Sequence, residues 1–241
     1  MVTKIVFGVI ASALFFVLYY SVTLYLTIQV SKKLVTEAVP YEHITDNHSV
    51  TLLVLGDSTA VGVGALSGED TVAGRLAKYV HATYVENKAV SGAIVIDLPS
   101  QVKRASLVKY SYVLVQIGAN DIIRFHGAEE SARQLEVVLK NIPKTDNLIV
   151  LTAGNVGGTP FFPWFMRPFY TKRTLEYHDL FAKVVAHAKG TYVNLYVDPA
   201  SDPVILDPSA YLAEDNLHLS SLGYKIWFEA IAKKLEAHKI P

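Results

Sequence analysis

The chain has 241 residues, enough for one sizeable folded domain and an additional segment. Its 22 basic and 22 acidic residues give a formal net charge of +0, which argues against nucleic-acid binding by electrostatic attraction. The chain contains no cysteine, so disulfides, thiolate metal sites and a cysteine nucleophile are excluded.

The first predicted element is an apolar, uncharged run at residues 5–30. At about 1.5 Å per residue a helix over this run is longer than the ~30 Å hydrocarbon core of a bilayer. We therefore predict an N-terminal transmembrane anchor at residues 1–31. The alternative is a cleaved signal peptide, but the run exceeds a typical signal-peptide core and no A-x-A-like site follows closely. Lysines flank both ends, and we favour a cytoplasmic amino terminus with the rest of the chain outside the cytoplasm.

Residues 32–49 are polar, contain Pro40 and show no clear period, which predicts a linker. From Val50 onwards strand-like and helix-like segments alternate, so residues 50–241 are predicted to form one domain. The strand candidates are 50–55, 82–86, 111–117, 147–152 and 191–197. The helix candidates are 69–80, 128–141, 171–189 and 221–238.

Most strand candidates are nearly continuous apolar runs, as expected for strands that are covered on both faces. Alternating strands and helices of this kind predict a parallel, doubly wound sheet. The predicted fold class is α/β: a three-layer, flavodoxin-like sandwich with a central, mostly parallel five-stranded sheet. Gly190 is expected to end the third helix as its C′ residue.

Polar residues follow several of the predicted strands, where open α/β sheets bind their ligands. The first strand runs into Gly56-Asp57-Ser58, and the third runs into Gly-Ala-Asn-Asp at 118–121. Residues 87–92 read NKAVSG after the second strand, and residues 215–218 read DNLH before the last helix. These segments are the candidates for a functional site.

Each segment also has an ordinary structural interpretation. Ser58 suits a helix cap, Asn120 and Asp121 suit a turn, and His218 suits an exposed surface. Of the eight histidines, however, only His218 has an aspartate three residues before it. The four segments together favour a catalytic interpretation.

In this order the segments resemble the four blocks of the SGNH hydrolases, also called GDSL-type esterases and lipases. The first block is Gly-Asp-Ser with Ser58, followed by Thr59 where the family has Leu. The second supplies Gly92, the third is G-x-N-D with Asn120, and the last is D-x-x-H with His218. The resemblance covers roughly residues 50–238 and leaves the apolar run unexplained.

The resemblance implies a role for each of these residues, and their chemistry suits it. Ser58 would be the nucleophile, His218 its general base, and Asp215 the acid that orients the imidazole. The backbone N–H groups of Ser58 and Gly92 and the side-chain amide of Asn120 would form the oxyanion hole. Asp57 is a weaker candidate for substrate contact, because bracing of its own loop explains it better.

Residues 154–170 are rich in glycine and proline and also in aromatic residues, which predicts an irregular loop beside the site. The candidates for substrate binding there are Phe161, Phe162, Trp164 and Phe165. They would form an apolar wall for an acyl chain or a patch that enters the bilayer interface. The alternative is a loop that simply folds onto the core.

The resulting hypothesis is a membrane-anchored serine esterase. It would hydrolyse acyl esters of lysophospholipids or other acylated amphiphiles through an acyl-Ser58 intermediate, with no cofactor, no metal and no nucleic-acid partner. One alternative is an O-deacetylase or acetyltransferase that acts on cell-envelope carbohydrate. A second is a non-catalytic envelope binding or scaffold protein that retains the fold.

Overall fold

The computed structural model describes residues 2–237. The ends of the predicted last helix (221–238) and of the predicted domain (50–241) therefore reach beyond the described residues, as does Met1 of the predicted anchor.

A parallel five-stranded sheet forms the centre of the structure. Its strands are β1 (Thr51–Gly56), β2 (Tyr84–Asn87), β3 (Lys109–Gln116), β4 (Lys144–Leu151) and β5 (Thr191–Val193). They are arranged in the order β2-β1-β3-β4-β5, and each pairs in parallel with its neighbours. In this flavodoxin-like order the chain places β2 on one side of β1 and β3 on the other. Such folds bind ligands at the carboxyl ends of the strands beside this point, between β1 and β3.

Helices cover both faces of the sheet. The longer ones are α3 (Val72–Tyr79), α6 (Ala128–Asn141), α7 (Arg167–His187) and α10 (Ser221–Ala237), and the chain begins with a further long helix, α1 (Val2–Glu37). Shorter ones are α2 (Ser58–Val61), α4 (Leu98–Val102), α5 (Ala119–Ile123), α8 (Pro203–Leu206) and α9 (Pro208–Tyr211).

Alternate residues of the strands point into two separate hydrophobic cores. Leu53 and Val113 join the core under α4, α6 and α7, whereas Leu52 and Leu114 join the core under α3 and α10. The predicted α/β fold, a three-layer sandwich around five parallel strands, is confirmed.

The N-terminal helix α1 has an apolar stretch that is long enough to cross a bilayer, judged by length and composition. It continues to Glu37, so the first six residues of the predicted linker are helical. The remaining linker residues lie along the edge strand β2, where His43 bridges Val85 and Glu42 accepts the backbone N–H of Asn87 at 3.1 Å. This segment protects an otherwise open sheet edge.

Other element boundaries also differ from the predictions by a few residues, and three of these differences have clear local reasons. β5 ends at Val193 instead of residue 197, because the Asn194 side chain accepts the backbone N–H of Tyr196 and turns the chain away from the sheet. Helix α7 begins at Arg167, inside the predicted loop, with Pro168 in the first turn where its missing N–H costs nothing.

The third difference is at the end of α7, where the left-handed C′ residue is Lys189 (φ +56°) and not Gly190. Gly190 is the next residue, and its N–H donates to the carbonyl of Val185 at 2.9 Å. The N–H of Lys189 donates to Ala186, so the helix ends in a Schellman motif that is shifted by one residue from the expected position.

Candidate active site

Ser58 lies immediately beyond the carboxyl end of β1, as the first residue of α2. Asp57 caps this short helix: one carboxylate oxygen accepts the backbone N–H of Thr59 at 2.9 Å and its hydroxyl at 2.8 Å. Gly56 is held by the buried Gln101, whose side chain accepts its N–H and donates to its carbonyl, both at 2.8 Å. These contacts fix the backbone on which the Ser58 hydroxyl is presented.

His218 lies beside Ser58, although 160 positions separate them in the chain. Its Nε2 is 2.9 Å from the Ser58 hydroxyl oxygen, and its Nδ1 is 2.6 Å from a carboxylate oxygen of Asp215. The other oxygen of Asp215 accepts the backbone N–H groups of Leu217 and His218 at 3.1 and 3.0 Å. The three side chains therefore form one continuous chain of hydrogen bonds.

The pKa values of the two carboxylates of the site are shifted in opposite directions. For Asp215, burial alone would raise the pKa, but the hydrogen bonds from His218 and from the backbone outweigh it and leave the pKa below its usual value. For Asp57, burial dominates over the hydrogen bonds from Thr59 and raises the pKa to about 6. Among residues 2–237, nothing donates to the second carboxylate oxygen of Asp57. Asp215 is thus held as an anion, whereas Asp57 accepts a proton readily.

The loop that contains Gly92 is fastened to the start of α5, where Asn120 lies. The Asn120 amide donates one hydrogen bond to the carbonyl of Ala93 at 3.0 Å, which leaves its second N–H available. The neighbouring Asp121 carboxylate accepts the N–H of Val95 at 3.2 Å. Gly92 has a left-handed backbone (φ +82°), which explains why a glycine stands there. In the described part of the chain the N–H groups of Ser58 and Gly92 donate no backbone hydrogen bond.

Ser58, Gly92, Asn120 and His218 open into one cavity with a volume of about 300 Å³. Asp215 lies behind His218 and is completely buried. Much of the remaining lining is aliphatic, for example Val35, Leu195, Val197, Val204, Leu212 and Ile226. The cavity can hold an apolar group against the hydroxyl of Ser58.

The aromatic candidates from residues 154–170 are not among the residues that line this cavity. Phe162 is buried in the core and Phe161 packs on it, with ring centroids 5.0 Å apart. Trp164 and Phe165 are exposed, and Phe165 lies against Phe16 and Tyr20 of α1. Asp57 does not line the cavity either. The structure therefore gives no support to substrate contact by these residues at Ser58.

Two features of the site are absent from the sequence analysis. Gln101 lies 45 positions from the Gly56 that it holds, and no motif marks it. The cavity is also lined by Ser31 and Val35 of α1. The sequence does contain a pattern that indicates a packed helix face here, because Ser31, Leu34, Val35 and Ala38 recur at helical spacing.

Comparison with known proteins agrees with this geometry. The family model for GDSL-like lipases and acylhydrolases matches residues 54–226. A search of curated proteins gave no match.

Solved structures with the same fold include a lipase/acylhydrolase from Enterococcus faecalis (22% identity, 78% of this chain and 96% of that one, TM-score 0.58). An acetylxylan esterase from Geobacillus stearothermophilus is similar at 20% identity (78% and 94%, TM-score 0.57). A phospholipase A1 from Streptomyces albidoflavus is similar at 17% identity (77% and 99%, TM-score 0.58).

The family match spans β1 to α10 and includes every residue of the hydrogen-bonded chain. The chain therefore belongs to the GDSL-like lipase/acylhydrolase family, and it is a serine hydrolase that acts on ester bonds.

Proposed function

We propose that this protein is a membrane-anchored serine esterase that hydrolyses acyl esters of lysophospholipids or similar amphiphiles. The observation that carries the proposal is the hydrogen-bonded chain from Ser58 through His218 to Asp215, which opens into a largely aliphatic cavity. A hydroxyl is a weak nucleophile until a base takes its proton, and His218 stands at 2.9 Å from it.

In the first step the Ser58 oxygen forms a bond to the ester carbonyl carbon, and the carbonyl electron pair moves onto the carbonyl oxygen. His218 Nε2 takes the hydroxyl proton, and the buried Asp215 anion stabilises the imidazolium that results. When the tetrahedral intermediate collapses, His218 returns this proton to the leaving alkoxide. The products are an alcohol and an acyl-Ser58 ester, which water cleaves by the same steps.

The negative charge on the tetrahedral intermediate needs donors that are already in place. The N–H groups of Ser58 and Gly92 and the free N–H of the Asn120 amide have the right chemistry for this task. The bond from Asn120 to Ala93 couples the amide to the Gly92 loop, so the donors are held together before substrate arrives. Loss of one such donor typically costs about 2.7–4 kcal/mol of transition-state stabilisation.

The lining of the cavity favours an acyl chain over a sugar as the group bound there. Each buried methylene contributes about 0.8 kcal/mol, whereas sugar hydroxyls need hydrogen-bond partners that aliphatic side chains lack. This observation ranks a lipid esterase above the alternatives, an O-deacetylase or acetyltransferase of envelope carbohydrate and a non-catalytic binding protein.

Two features support the membrane anchor. Helix α1 is long and apolar enough to span a bilayer, and the exposed aromatic side chains of Trp164 and Phe165 lie beside it. Phe165 contacts Phe16 and Tyr20, with ring centroids 6.2 Å apart in both cases. We infer that residues 1–31 anchor the protein and that the hydrolase domain, residues 50–241, rests on the outer face of the membrane.

The nucleophile is tested by labelling the full-length protein in detergent with a fluorophosphonate probe. We expect the wild type to label and Ser58→Ala not to label, while Ser100→Ala, which removes an exposed serine, labels like the wild type. A folded wild type that does not label would contradict the proposed mechanism.

The substrate class is tested with p-nitrophenyl esters from acetate to laurate. We expect kcat/KM to rise with chain length up to the capacity of the cavity and to vanish in Ser58→Ala. Activity on acetate alone would favour the carbohydrate deacetylase, and the absence of any Ser58-dependent activity would favour the binding protein.

The membrane anchor is tested by alkaline carbonate extraction of membranes that contain the protein. Resistance of the protein to extraction, with an intact amino terminus, distinguishes an anchor from a cleaved signal.

A further inference from the structure

The carboxyl-terminal turns of α1 pack against the hydrolase domain with one face. The half-buried side chains there, which recur every three or four residues, are Thr27, Ile28, Val30, Ser31, Leu34 and Val35, followed by Ala38 just after the helix. The opposite face carries Lys32, Lys33, Thr36 and Glu37, all exposed. A helix that served only as a tether would have no reason to place an uncharged face on the domain.

Ser31 and Val35 on this face form part of the wall of the cavity that contains Ser58 and His218. They are one helical turn apart, about 6 Å along the axis. Neither belongs to the two hydrophobic cores of the sandwich. Their contact with the domain is therefore a contact with the active-site cavity.

The connection between α1 and β1 holds the helix in this position. Residues 38–50 do not form a free linker, because His43 makes two backbone hydrogen bonds with Val85, at 3.0 and 2.7 Å. Thr45 donates a hydrogen bond to the carbonyl of Thr83 at 2.7 Å. The wall that α1 provides is thus tied to the edge of the sheet.

The same helix also lines a second cavity, of about 380 Å³, further towards its apolar run. Tyr20, Leu24 and Thr27 face Phe161 and Trp164 across it. The wall formed by α1 therefore continues from the cavity at Ser58 towards the part of the helix that is apolar enough to lie in a bilayer. This continuity favours a lipid acyl chain as the occupant.

We propose that Ser31 and Val35 bind the acyl chain of the substrate, so that the membrane anchor itself determines which chain lengths the enzyme accepts. This inference rests on the proposed esterase function and deepens it. Val35 contacts methylene groups of the chain, and its size limits the space available to them. Removing contact with one methylene lowers kcat/KM about fourfold, so a large side chain at position 35 discriminates strongly against long chains.

The first test compares Val35→Trp with Thr36→Trp in the full-length protein. Both put tryptophan into the same helical turn, but Val35 faces the cavity and Thr36 is exposed. We expect Val35→Trp to lower the ratio of kcat/KM for decanoate to that for acetate by about tenfold or more, and Thr36→Trp to leave the ratio unchanged. Equal ratios in the two variants would overturn the proposal.

The second test needs no turnover and uses the absence of cysteine from the chain. Val35→Cys or Thr36→Cys is introduced into Ser58→Ala protein, and the rate of modification by a maleimide is measured with and without decanoate. We expect decanoate to slow modification at position 35 several-fold and not at position 36. Equal slowing or no slowing at both positions would refute a bound chain at α1.

The two tests separate the inference from the proposed function. If the protein shows Ser58-dependent hydrolysis but substitution of position 35 has no effect in either test, the proposed role of α1 is refuted and the proposed esterase function is retained. If decanoate protects position 35 from the maleimide but the wild type hydrolyses no ester, binding of the chain at α1 is supported and the proposed esterase function is refuted. The cysteine variants are small substitutions, so they also serve if Val35→Trp does not fold.

Discussion

His218 owes its orientation to Asp215, and the short segment between them explains why this part of the site is predictable from sequence. An aspartate accepts backbone N–H groups two and three residues later with little help from the rest of the fold, as Asp215 does with Leu217 and His218. The relative position of Asp215 and His218 therefore follows from the D-x-x-H pattern itself. Gln101 could not be predicted in this way, because its contact with Gly56 exists only after distant segments have packed.

Asp57 gives the clearest pH dependence at the residue scale. Its pKa is raised from 3.8 to about 6 by burial, so the folded protein binds a proton between about pH 4 and 6 that the unfolded chain releases. The free energy of unfolding consequently falls as the pH rises through this window, by up to about 3 kcal/mol, and levels off above it. In Asp57→Asn, which keeps the oxygen that accepts from Thr59, this part of the decline should disappear.

The measurement is the thermal unfolding midpoint of the full-length protein in detergent at pH 4 to 7. Asp215 acts in the opposite direction, since its lowered pKa means that its stabilisation is lost only as the pH falls below about 4. The two effects therefore occupy different windows. Identical pH profiles for the wild type and Asp57→Asn would show that Asp57 does not titrate in this range.

At the scale of elements, the sequence predicts the five strands and the longer helices correctly, predicts their ends less well and does not reveal the short helices. Apolar runs identify β1 and β3, because a strand that is buried on both faces has apolar side chains at successive positions instead of at alternate ones. Ends depend on single hydrogen bonds, such as the one from the Asn194 side chain that stops β5. The extension of α1 to Glu37 was missed because Pro40 and the polar residues around it obscure a short apolar face.

The end of α7 offers a prediction about stability. Lys189 occupies the left-handed region, which costs a residue with a side chain about 1 kcal/mol relative to glycine, and its side chain is exposed. Lys189→Gly should therefore raise the unfolding midpoint by about 2–4 °C. Lys189→Ala retains the strain and removes the same side chain, so it should not be stabilising. A midpoint for Lys189→Gly at or below that of Lys189→Ala would contradict the expected strain.

At the scale of the whole molecule, the surroundings of the site depend on how α1 lies against the domain. The sequence identifies both the apolar helix and the aromatic residues of 154–170, but it does not reveal that Phe165 packs on α1 and that Val35 reaches the cavity. Phe165 lies more than 100 positions in the chain from Phe16 and Tyr20, its partners on α1. The aromatic side chains were candidates for contact with substrate or with the bilayer interface, and the structure places Trp164 and Phe165 beside the helix.

This arrangement predicts which of the two tryptophans meets lipid. Trp164 is 70% exposed next to the apolar part of α1, whereas Trp227 is 6% exposed and lies in the core between the sheet and α10. In nanodiscs that contain brominated lipids, Trp227→Phe, which retains only Trp164, should lose much of its fluorescence. Trp164→Phe should lose little, because bromine quenches only at close range. Unquenched emission from Trp164 would mean that the aromatic surface stays in water, and the domain would then be tethered to the membrane without resting on it.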